Sequence, residues 1–122
     1  MRVLGSHPVL AVHDLAGEAA WYAAVLGSTN REVDPGNWVF CAVGEVEIML
    51  GRCPSSLAPR DIGDHSYVAY LRVEGVDAFH ARALAAGAHV RKAPTDEPWG
   101  MREMALESPG GHRFMLGQRI GG

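Results

Sequence analysis

The sequence predicts an α+β fold of two βαβββ modules, and three observations carry that reading. The tail of one half repeats the tail of the other: residues 48–52 read IMLGR and residues 114–118 read FMLGQ. Ahead of each copy, an apolar strand-like run (PVLAV, then YVAYLRV) precedes a helix-period pattern ending in Gly27 or Gly87. Further strand-like runs follow each helix. Internal repetition outranks any single motif, because it sets the architecture before local patterns are weighed. It also places related positions of the two halves in equivalent surroundings, so each half checks the other.

The elements follow in order. A strand is expected over about residues 7–13. Asp14 then suits an N-cap, Leu15, Ala19, Tyr22, Ala23 and Leu26 mark one helical face, and Gly27 suits the left-handed position that ends a helix. Strands are expected near 30–34, 37–43 and 46–51. The second half repeats the order: strand 66–73, helix 76–86 with Val76, Phe79, Ala83 and Leu84 on one face, Gly87 as terminator, and strands near 89–93, 101–107 and 112–118. Residues rich in Pro, Ser and Gly separate the halves. The chain thus reads as a single domain over 1–122, with module one at about 1–52, a linker at about 53–64 and module two at about 65–118.

Turn chemistry assigns the strand faces. Gly44-Glu45 reads as a two-residue hairpin turn. Val43 then opposes Val46, Ala42 opposes Glu47, Phe40 opposes Met49 and Trp38 opposes Gly51. Opposed residues share a sheet face, so Trp38, Phe40, Ala42, Glu47 and Met49 belong together, with Ile48 and Leu50 beneath the helix. In the second half the turn SPGG places Met104, Leu106, Arg113 and Met115 together.

Bulk properties exclude several classes. At 122 residues with 48% apolar content, the chain suits one core. The net charge of −3 and 11 scattered basic residues argue against nucleic acid. No apolar run approaches the ~20 residues of a membrane span, and residues 1–12 lack a signal-peptide pattern. A cytoplasmic protein is the expectation. Cys41 and Cys53 have no metal-site spacing and read as reduced thiols.

PVLAVHDLAGEAAWYAAVLG, followed later by EPWGMREMALESPGGHR, resembles the vicinal oxygen chelate superfamily of glyoxalases, bleomycin-resistance proteins and extradiol dioxygenases. The likeness covers nearly the whole chain and is nearest to the bleomycin-resistance type. Its most specific piece is PWG-x-RE-x-AL before the SPGGHR turn. The resemblance implies paired βαβββ modules with curved mixed sheets, a homodimer with ligand cavities, and exchange of the first strand between partners, for which Pro8 is a suitable hinge. Enzymes of the superfamily use a divalent metal, whereas antibiotic-binding members do not. The family's ligand positions fall on His7, Met49, Val68 and Met115. Thioethers are weak, soft ligands and valine is none, so no metal and no cofactor is expected. A shifted register would instead assemble His7, Glu47 and His65, although His65 and Val68 differ in strand parity.

Trp99 matches, by resemblance, the aromatic that stacks on a planar ligand. Its competing role is a loop anchor at an interface. Trp38, Phe40, Met49, Met104 and Met115 supply an aromatic and methionine lining, against ordinary core filling. His7, Glu47 and Arg113 are the polar candidates, against a structural histidine and a structural salt bridge. His13, His80, His89 and His112 read as surface or turn residues, and Trp21 and Tyr22 as packing. The expected function is metal-free capture of a small planar or aromatic molecule, such as an antibiotic or toxic metabolite, with no catalytic residue. The mild acidity and Arg113 depart from the strongly acidic cavities that suit cationic bleomycins. The alternatives are a metal-dependent lyase, isomerase or dioxygenase, and metal-free catalysis with Glu47 or His7 as base.

Overall fold

Each module folds as the repeat predicts. The structure, a computed structural model, describes residues 1–121. It divides into two compact units, Met1–Ser56 and the segment from Leu57 onward.

In the first unit, β1 (Val9–Val12) leads into α1 (Leu15–Trp21), followed by β2 (Thr29–Asp34), β3 (Trp38–Val43) and β4 (Val46–Arg52). The sheet order is β1-β4-β3-β2, with β1 parallel to β4 and the other pairs antiparallel. Asp14 caps α1 by accepting from the Gly17 N–H at 3.0 Å, as its position before an apolar periodic run suggests. The last turn widens into a π-helical segment, Tyr22–Leu26, closed by Gly27 at φ 71°. The wider turn shifts the helical phase, so Ala23 is exposed although the regular period places it inward. Leu10, Val12, Tyr22, Cys41, Ile48 and Leu50 form the core between helix and sheet. Burying each larger aliphatic side chain contributes about 1.5–3 kcal/mol. Burial, with the nearby Glu18 charge, pushes the Cys41 thiol up to about 11, so it stays protonated. Cys41 and Cys53 are both free.

In the second unit, β5 (Tyr67–Arg72) leads into α2 (Val76–Ala85), then β6 (His89–Asp96), β7 (Met101–Glu107) and β8 (Arg113–Arg119), in sheet order β5-β8-β7-β6. Gly87 ends the helix at φ 76°. The buried helical face is Val76 and Ala83, and Leu84 is 53% exposed rather than inward. Gly75 offers α2 no side-chain cap; the Gln118 side chain on β8 accepts from the Gly75 and Val76 N–H groups at 3.0 and 2.9 Å instead.

The first hairpin has the expected register: Val43↔Val46, Ala42↔Glu47, Phe40↔Met49 and Trp38↔Gly51. The second does not. His112 belongs to the turn, where its carbonyl accepts from Ser108 N–H at 2.8 Å, so Glu107 rather than Leu106 opposes Arg113. One extra loop residue reverses strand parity. Met104 and Leu106 therefore join Phe114 and Leu116 in the core under α2, fully buried, and Met104 cannot line a ligand face with Met115. His112 is the turn residue that the sequence allowed, and it is buried.

The linker is partly structured. Pro59–Asp61 form a 3-10 turn, and Arg113 holds this stretch by donating to the Gly63 and Arg60 carbonyls at 2.5 and 3.2 Å. Among the described residues no helix is long and apolar enough to cross a membrane.

Candidate functional site

In the first unit, four predicted residues share the face of the sheet turned away from α1: Trp38, Phe40, Glu47 and Met49. All are half-buried. Trp38 and Phe40 meet edge to face, with centroids 6.4 Å apart at 85°. The Trp38 ring lies flat over Gly51, where an added Cβ would stand 2.6 Å from the indole. Arg31, unnoticed in the sequence, sits over the Phe40 ring at 5.1 Å and pairs with Glu47 at 3.4 Å. His7 is exposed, with Nδ1 at 3.2 Å from the Glu47 carbonyl, to which its Nδ1–H tautomer donates.

In the second unit the corresponding face carries a tighter constellation. The Glu103 carboxylate, in a residue only 4% exposed, accepts through Oε2 from the Tyr70 hydroxyl at 2.7 Å and from the Trp99 indole N–H at 2.8 Å. Its other oxygen lies 3.9 Å from the Lys92 ammonium, which also pairs with Glu97. Tyr70 reaches Glu103 from β5 by crossing β8 directly above Gly117. A Cβ on Gly117 would stand 1.9 Å from the hydroxyl. Desolvation, the hydrogen bond to Glu103 and that carboxylate's charge push the Tyr70 phenol up to about 12. Both rings remain open, Trp99 at 63% and Tyr70 at 46% exposure. Two aromatic rings are thus held by their polar edges while much of each stays exposed, an arrangement suited to a planar partner.

Met115 lies on this face beside Ala105 and Tyr70. Arg113 shares the face but is 4% exposed; its Nε pairs with Glu107 at 3.3 Å, and its other nitrogens hold the linker carbonyls. It fastens β8 to Glu107 and to the linker, the structural salt bridge set against the ligand anchor in the sequence reading. Tyr70, Glu103 and the use of Gly117 were missed in the sequence. The repeated Met-Leu-Gly was the available signal, since a glycine inside a strand marks a close approach by another group.

The family's metal positions do not supply a donor set. Met49 and Met115 offer thioethers, Val68 falls at a bulge in β5 with no donor atom, and His7 is turned to a carbonyl. Glu47 is engaged by Arg31, and His65 lies in the other unit from His7 and Glu47. Among the described residues no three His, Cys, Asp or Glu side chains group as a metal centre.

A groove of about 590 Å³ opens on the opposite, helix-bearing side of the first unit, lined by His13, Asp14, Leu15, Ala19, Glu32 and Val39 among others. None of the predicted site residues lines it. Its two carboxylates already accept from the Gly17 and Gly36 N–H groups, each at 3.0 Å.

Known proteins resemble the chain in sequence and fold. Residues 6–116 match the profile of the Glyoxalase/Bleomycin resistance protein/Dioxygenase superfamily. An uncharacterised protein of Mycobacterium tuberculosis is 40% identical over 65 residues, which cover 53% of this chain and 38% of that protein. The match therefore spans well under half of that relative. Among solved structures, the bleomycin resistance determinant encoded on transposon Tn5 superposes with a TM-score of 0.78 at 22% identity, covering 96% of this chain and 98% of that one. A bleomycin-binding protein complexed with bleomycin gives 0.77 at 22% identity, covering 96% and 99%. At such identities the likeness is one of fold.

Proposed function

Since the chain belongs to the Glyoxalase/Bleomycin resistance protein/Dioxygenase superfamily, we propose that it is a metal-free binding protein for a small planar aromatic molecule, an antibiotic or a toxic metabolite. It captures the molecule intact and protects by stoichiometric sequestration, in the cytoplasm. The observation that carries this reading is the pair of exposed rings, Tyr70 and Trp99, tied by their polar edges to the buried Glu103. Ordering two large aromatics at a surface costs side-chain entropy, and stacking on a flat ligand offsets it. Trp38, Phe40 and Met49 offer a second apolar surface of the same character on the first unit. The soft or absent donors at Met49, Val68 and Met115 support capture without a metal.

Calorimetric titration of the full chain with neutral 4-biphenylmethanol tests the reading. Binding that weakens about threefold to tenfold in Trp99→Ala is expected, because stacking contributes about 0.5–1.5 kcal/mol beyond area burial. Unchanged affinity in that variant would remove Trp99, and with it this reading, from the site.

A further inference from the structure

Three guanidinium groups converge on one buried carboxylate at the end of the second sheet. Glu107 is 5% exposed. Its Oε1 lies 3.0 Å from Arg91 Nη1 and 3.3 Å from Arg113 Nε, and its Oε2 lies 3.5 Å from Arg60 Nε. His89 Nδ1 stands 3.7 Å from the same oxygen. No second carboxylate pairs with these arginines among the described residues, so three positive charges face one negative charge. Like charges gathered in this way repel one another, and the excess favours an added anion.

The arginines are not equivalent. Arg113 is used up by Glu107 and the linker carbonyls. Arg60 donates Nη2 to the Pro109 carbonyl at 2.6 Å. Arg91 engages Glu107 through Nη1 alone, leaving Nε and Nη2 unengaged among the described residues on a side chain 29% exposed. Free guanidinium edges of this kind take carboxylate or phosphate oxygens in pairs.

Position connects this cluster to the aromatic pair. Alternate residues of a strand share a face, so Glu103, Ala105 and Glu107 of β7 stand in one row opposite Gly117, Met115 and Arg113. A bulge in β6 between Val90 and Lys92 lets consecutive residues serve both ends: Arg91 reaches Glu107 while Lys92 reaches Glu97 and Glu103. The face therefore runs from open aromatic rings, past Met115, to a cationic end. At a strand rise of about 3.3 Å per residue, Glu103 and Glu107 are about 13 Å apart.

We infer that the ligand of this face is an aromatic molecule bearing an oxyanion, a carboxylate or phosphate, at the end away from its stacked ring, and that Arg91 with Arg60 receives that group. This rests on the binding reading above and sharpens its ligand class, away from cationic antibiotics and toward aromatic acids or phosphate esters.

The test is calorimetric titration of the full chain with four probes: 4-biphenylmethanol, 4-biphenylmethylammonium, biphenyl-4-carboxylate and biphenyl-4-yl phosphate. Both anions should bind at least threefold tighter than the alcohol, and the ammonium weakest; the tighter anion identifies the oxyanion. Arg91→Gln should weaken the anions about twofold to fivefold and leave the alcohol unchanged, while Arg91→Lys should retain part of the preference. Circular dichroism on each variant checks that it is folded. Alcohol binding that depends on Trp99, with no preference for the anions, would overturn this inference and leave the binding reading standing. Equal loss of alcohol and anion in folded Arg91→Gln would also overturn it. No binding of any probe would overturn both.

Discussion

The Glu103 carboxylate holds two exposed rings because Gly117 has no side chain to stop Tyr70 from crossing β8. Desolvation and the bond to Glu103 both favour the protonated phenol, so the folded pKa of about 12 lies above the ordinary 10.0. Between these values the folded chain keeps a proton that the unfolded chain has lost. The stability this contact contributes is therefore complete below pH 10 and falls as the pH rises through 12. An ultraviolet absorbance titration should show a late tyrosinate component that disappears in Tyr70→Phe and moves to lower pH in Glu103→Gln. Titration of Tyr70 in its ordinary range would mean that the hydroxyl does not meet Glu103. At this scale the sequence was only half informative. Trp99 stands out as a large aromatic after a proline in a polar loop. Glu103 does not, because nothing local distinguishes a carboxylate that joins the nearby Trp99 to the distant Tyr70 from any strand residue. Arg113 was conspicuous for the wrong reason, since its partners are Glu107 on the neighbouring strand and the linker carbonyls.

Strand registers and helix caps divide the elements into legible and illegible ones. The Gly44-Glu45 turn constrains its hairpin by length alone, and so the whole first face, from Trp38 to Met49, could be read in advance. The glycine-rich second turn admits either of two lengths, and including His112 in it moved Met104 from the expected lining into the core. Likewise Asp14 caps its helix locally and is visible, whereas α2 is capped by Gln118, over forty residues away. Removing that cap in Gln118→Ala should cost about 1 kcal/mol, read as a lower midpoint in urea denaturation; an unchanged midpoint would show that the contact contributes nothing. The repeated strand glycines give a second test. Gly51→Ala should destabilise the chain by about 1–3 kcal/mol, because its Cβ would meet the Trp38 ring at 2.6 Å. A shift in tryptophan emission should accompany the loss. A variant as stable as the parent, with unaltered emission, would mean that the ring does not pack there.

At the scale of the whole molecule, the repeat and the family agree on architecture, and neither specifies the ligand. Two units each present a sheet face with aromatic residues only partly covered, and Val9, Tyr70 and Trp99 are among the exposed large side chains. Apolar surface of this kind favours association, and we expect a homodimer. Light scattering at micromolar concentration should give twice the chain mass of 13.1 kDa, and a monomer would defeat that expectation. Intact capture without a metal is tested most directly by native mass spectrometry of the chelator-dialysed protein mixed with 4-biphenylmethanol, with elemental analysis of the same sample. The expected result is a complex carrying the unaltered probe, no divalent ion held by the chain, and the same affinity before and after chelation. One tightly held divalent ion per chain, lost together with binding in Glu47→Gln, would contradict it.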